Sequence, residues 1–177
     1  MKFNSLFLRL DLVTATSMIV LAFLVFINLP EAIASYKIRK SVIEGMHKAE
    51  IVKSNIEDNA ILGMDLAHGV KTLTGPAEVV ISVLQDTGVV TVTFPMMKDK
   101  SANALTLIPV YYEEGQGYLL SAKVKSGKLV ERGKILWICT SSLTRSDDDF
   151  INQHIGTLEG KYAPAKCRYI LENVHSF

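Results

Sequence analysis

Cys139 and Cys167 are the only two cysteines of the chain and its clearest candidates for chemistry. They sit in Trp137-Ile138-Cys139-Thr140 and Pro164-Ala165-Lys166-Cys167-Arg168, with no C-x-x-C arrangement that would suggest a redox couple or a zinc site. An even pair, on a chain whose other end starts with a membrane-length apolar run, reads as one structural disulfide formed outside the cytoplasm. It would tie the last segment back onto a strand and contribute about 3–4 kcal/mol by the chain-entropy estimate. Two free buried thiols are the alternative. The histidines, His47, His68, His154 and His175, show no metal-ligand spacing such as H-E-x-x-H. Asp147-Asp148-Asp149 lacks the EF-hand pattern for calcium and reads as a solvated loop. No G-x-S-x-G elbow, P-loop or dinucleotide fingerprint occurs. The expectation is therefore a non-enzyme with no cofactor, no metal and no evident small-molecule substrate.

One basic group remains: Lys123, Lys125, Lys128, Arg132 and Lys134. Net charge is only +1, so nucleic-acid binding would need such a local patch. The residues are either edge-strand lysines that discourage aggregation or a stripe that tracks a DNA backbone. Glu131 and the Glu113-Glu114 pair dilute the stripe. Trp137 alternates with Ile135 and is expected in the core.

The elements that must hold these residues follow from periodicity. Residues 12–29 carry no charge, enough for about 27 Å of helix and just sufficient for a bilayer core. Residues 31–58 continue as an amphipathic helix with Ile38, Val42, Ala49, Val52 and Ile56 on one stripe. Glu44 with Lys48, and Lys53 with Glu57, are four-apart opposite charges. Pro30 inside the pattern predicts a kink in one long helix, whose first half needs lipid or other copies as a partner. Alternatively, Ala32-Ile33-Ala34 before Ser35 is a signal-peptidase site and the helix start is removed. From 59 to 88 the pattern is irregular, with one short strand at 78–84. Runs at 89–94, 104–111, 118–124 and 134–140 then predict a four-stranded antiparallel meander, with hairpin loops at 113–117 and 125–128. A sheet of that size needs one face covered, and the amphipathic helix is the available cover. The class is α+β, divided into a hydrophobic helix half at 1–30, an amphipathic half at 31–58 and a head at 59–177 that includes the disulfide-bounded region 139–167.

Four stretches in this order resemble type IV pilins of Gram-negative bacteria. They are Ser41-Val42-Ile43-Glu44-Gly45-Met46, Gly88-Val89-Val90-Thr91-Val92-Thr93-Phe94, Gly133-Lys134-Ile135-Leu136-Trp137-Ile138-Cys139-Thr140-Ser141, and Gly160-Lys161-Tyr162-Ala163-Pro164-Ala165-Lys166-Cys167-Arg168. The resemblance spans roughly 18–168. It implies a lollipop of long bent helix and α/β head, filament formation through the helices of other pilin subunits, and a variable surface between the cysteines that meets receptors, DNA or neighbours. It implies a head in the periplasm on an inner-membrane helix, then an extracellular pilus with roles in adhesion, twitching motility or DNA uptake. Counting back from Pro30, the family's leader glycine falls on Leu8, the new terminus on Arg9 and the conserved glutamate on Val13; Asp11 is two residues out of register. The expectation is thus a minor or atypical subunit, uncleaved and held in the inner membrane. The alternative is an exported soluble or membrane-anchored pilin-like accessory protein, such as a pseudopilin or a periplasmic binding protein.

Overall fold

The computed structural model describes residues 4–70, 72, 79–95, 103–125, 133–168 and 170–171; before residue 29 side chains are described only at Thr14, Ser17, Met18, Val20 and Phe23. The chain forms two compact units, Met1–Lys37 and Ile38–Phe177. The first holds most of the apolar part of helix α1 (Asn4–Ile61), whose helical conformation runs through Pro30 without a break. Met18, Val20, Phe23, Leu29, Ile33 and Tyr36 are all exposed there. Among the described residues no helix is long and apolar enough to cross a membrane.

The second unit is an antiparallel sheet with the rest of α1 on one face. The expected stripe is the buried one: Val42, Ala49, Val52 and Ile56 are enclosed, and Ile38 packs at the margin. Gly45 lets the helix approach the sheet, since a Cβ there would lie 2.7 Å from the Phe94 ring. The helix stops in a Schellman arrangement. Met64 N–H donates to Asn59 O and Gly63 N–H to Ala60 O, with Gly63 at φ +68°. Asn59 Nδ2 donates to the carbonyls of Leu66 and His68, pinning the outgoing chain.

The sheet contains β1 (Val80–Val83), β2 (Val90–Thr93), β3 (Ala104–Glu113), β4 (Gln116–Leu119) and β5 (Lys134–Thr140). β3 is the centre. β5 takes one edge of it along 106–112, while β2 (at 104–107) and β4 (at 110–113) share the other. The sheet is therefore not a plain meander. The β3–β4 turn is Glu114-Gly115, both at positive φ, the type I′ pattern of a two-residue hairpin.

The expected strand at 118–124 is corrected. It ends at Leu119, and α2 (Leu120–Lys125) follows. The next pairing partner on β3 would be Pro109, which has no N–H, and beyond it β2 already holds the edge. The chain turns off as one short helix instead, burying Leu120 and packing Val124 against the core. The second expected hairpin, at 125–128, lies outside the described residues.

Alternation places Leu105, Leu107 and Tyr111 of β3 toward α1, together with Val90, Val92, Ile135, Trp137 and Cys139. The other face carries Ile108, Val110 and Ile138, covered by Phe150 and Ile151 of α3 (Asp149–Gln153). Two short strands, β6 (Arg145–Ser146) and β7 (Ile170–Leu171), pair in parallel beside it.

Candidate functional site

The disulfide expected from the sequence is present. Cys139 at the end of β5 joins Cys167 in a 3-10 turn (Ala165–Cys167), with Cα atoms 4.6 Å apart. It closes a segment that would otherwise leave the sheet after Thr140. Both sulfurs lie in the core, so the bond is structural.

The segment is also held by a buried polar knot. Ser141 Oγ donates to Cys167 O at 2.6 Å, and Thr144 Oγ1 to the same carbonyl at 3.3 Å. Ser141 N–H donates to Thr144 Oγ1. Thr140 Oγ1 donates to His154 O and accepts from Gly156 N–H, both at 2.9 Å. Thr140, Ser141 and Thr144 are fully buried, and no enclosed side-chain polar atom among the described residues lacks a partner. Buried hydroxyls satisfied in this way fix one loop conformation, because any alternative leaves a donor or acceptor dry. Asp148, offered by the sequence as part of an acidic run, is the N-cap of α3 and accepts from Ile151 N–H at 2.9 Å. His154 stacks on Phe150 at 4.3 Å.

A second set of contacts fastens this segment and β5 to α1. Trp137 Nε1 donates to Glu57 at 2.6 Å, and Lys53 lies over the indole at 5.4 Å. Lys53 pairs with Glu50 at 2.8 Å, and Glu50 also meets Lys166, next to Cys167, at 3.8 Å. The expected Lys53–Glu57 pair is thus replaced. A half-buried indole N–H needs an acceptor, and Glu57 is within reach of it.

The basic group is only partly assembled. Lys123, on α2, is mostly buried and bonded to Glu113 at 2.9 Å, with its ammonium 4.0 Å from the Tyr118 ring and 5.5 Å from that of Tyr111. The hydrogen bond to Glu113 holds the Lys123 pKa above its ordinary value, against a smaller opposing desolvation. Lys125 and Lys134 are exposed, at the end of α2 and the start of β5. Lys128 and Arg132 lie outside the described residues. Of the histidines, His47 and His68 are exposed, and His175 lies outside the described residues.

α1 has a further face. In the second unit Ile43 and Ile51 are 71% and 62% exposed, and Ile61 is similar. At 100° per residue all three fall within about 80° of one another and about 140° from the buried Ile56. β-branched apolar side chains so arranged form a stripe that the sheet does not cover.

A family model for pilin, the bacterial filament protein, matches residues 39–168. The crystal structure of a Pseudomonas aeruginosa type IV pilin (strain Pa110594) is similar in fold, with a TM-score of 0.52 and 22% identity over 74% of this chain and 97% of that one. No curated protein sequence is significantly similar. The matched range contains both cysteines, the whole sheet and the buried half of the helix, so the chain belongs to the pilin family.

Proposed function

We propose that this chain is a minor or atypical type IV pilus subunit that joins the filament through α1 and displays the 139–167 segment for surface adhesion. Family membership makes it a pilus protein. The observation behind the reading is the exposed apolar stripe Ile43, Ile51 and Ile61 on the back of a helix already packed on its own sheet. Apolar side chains held out on a rigid helix are stabilised by burial against another copy. The exposed Met18, Phe23, Leu29 and Ile33 in the other unit have the same need. Within the displayed segment Leu143, Asp147 and Lys161 are exposed while its frame is buried, which supports recognition by side chains that the fold does not use. The DNA stripe is weakened by the pairing of Lys123 with Glu113.

Electron microscopy of sheared filaments, labelled with antibody against the 139–167 segment, tests the proposal. Labelled fibres are expected from cells expressing the wild type. None is expected from Ile43→Asp/Ile51→Asp cells, although the variant protein folds. Labelling confined to membranes would refute filament entry, and unchanged attachment of cells lacking the chain would refute adhesion.

A further inference from the structure

A recess of about 210 Å³ opens where the chain leaves α1, between the 63–66 turn, the β1–β2 turn and α2. Ser121 is its telling member. The residue is only 9% exposed, yet its hydroxyl has no hydrogen-bond partner among the described residues. Since enclosed polar side-chain atoms here all have partners, the Ser121 oxygen faces open space, and the recess is that space. A nearly buried hydroxyl without a protein partner gains one only from what enters the recess.

The rest of the lining narrows the ligand. Asp65, Asp86, Gln85 and Lys125 surround the opening, and none of the three charged groups makes an ion pair among the described residues. Met64, Leu66 and Val124 supply carbon surface. Two carboxylates disfavour an anion. The ammonium disfavours a bare divalent cation, which seeks an all-oxygen shell. Apolar patches beside converging donors and acceptors suit a ring with one C–H face and a rim of hydroxyls. Two carboxylates against one ammonium leave the lining net negative, so a positive group on the ring adds affinity. The geometry points to a binding site for a single sugar residue, preferentially one that carries an ammonium group. None of the lining residues belongs to the stripe of Ile43, Ile51 and Ile61 or to the disulfide-closed segment.

The test is saturation-transfer NMR on the full-length chain in detergent micelles, with glucosamine and glucose as ligands and calcium chloride as competitor. Glucosamine is expected to receive saturation and to bind more tightly than glucose. Asp86→Asn weakens glucosamine about tenfold, the loss of one charge-assisted hydrogen bond. Ser121→Ala weakens both sugars. Asp65→Asn, on an exposed turn, gives a second reading should Ser121→Ala unfold. Absence of transfer to either sugar, binding indifferent to these substitutions, or calcium displacing glucosamine at equal concentration would each overturn the proposal.

Discussion

Gly156→Ala is expected to cost about 2.5 kcal/mol. Gly156 sits inside the disulfide-closed segment, where it meets the backbone of the sheet. A Cβ there would lie 2.4 Å from Thr140 O, 2.9 Å from Ala104 O and 3.0 Å from Thr106 N. All three are main-chain atoms of β3 and β5, which cannot swing aside as a side chain would. Gly156 is not in the left-handed region, so alanine suffers no conformational strain and the whole cost is contact. Relief requires the segment to back away by about 1 Å, since non-bonded atoms rest near 3.5 Å. That movement breaks the bond from Gly156 N–H to Thr140 Oγ1 at 2.9 Å, from Leu158 N–H to Ala104 O at 2.7 Å and from Ala104 N–H to Thr157 Oγ1 at 3.2 Å. Three bonds at roughly 0.5–1.5 kcal/mol each, less about 0.5 kcal/mol regained from a stiffer unfolded chain, leave about 2.5 kcal/mol. For a unit of this size the midpoint falls by about 10 °C. The control is Gly115→Ala, at φ +86° with nothing within 4 Å, where only the left-handed backbone costs, about 1–2 kcal/mol. Thermal unfolding of the full-length chain in detergent, followed by circular dichroism, compares the two. If Gly156→Ala falls by less than Gly115→Ala, the segment is not seated on the sheet as described.

The double substitution Cys139→Ser/Cys167→Ser removes the constraint across a separation of 28 residues and is expected to cost about 3.6 kcal/mol in the chain-entropy estimate, measured by urea titration. Glu57→Ala leaves the half-buried Trp137 indole without its acceptor and is expected to cost about 1–3 kcal/mol, whereas Glu57→Gln retains most of the stability; the two midpoints decide. The raised Lys123 pKa stabilises the fold fully below the ordinary lysine range, and the effect is lost as pH climbs through the raised value. Glu113→Gln should bring the Lys123 titration, followed by NMR, down toward that range and flatten the alkaline limb of the stability profile. Ile43→Asp/Ile51→Asp should lower the melting midpoint by no more than about 4 °C, because neither side chain is in the core; a larger fall would show that the stripe serves the fold.

Local signals were readable wherever one residue's neighbours in sequence decide its role. The helix stripe, the hairpin at 113–117 and the strands at 89–94, 104–111 and 134–140 carry their period in the chain itself. The cysteines were readable because an even pair without a C-x-x-C spacing has few other uses. What failed depended on distant strands. Leu120, Ala122 and Val124 alternate as a strand would, and only the edge of β3, occupied by β2 beyond Pro109, turns them into a helix. Glu57 looked committed to Lys53 until the fold brought Trp137 beside it. Nothing local to Ser141 and Thr144 reveals that both reach the carbonyl of Cys167. The recess around Ser121 draws on three separated stretches and has no sequence signature.

The chain has a single tryptophan, and its ring lies at the seam between β5 and α1. Its emission is therefore a built-in gauge of helix seating. Undocking would wet the indole and shift the fluorescence to the red, while loss of the stapled segment alone would change it far less. A heat or denaturant scan read at this wavelength, beside one read by far-ultraviolet ellipticity, would tell whether the helix and the sheet part company before either melts.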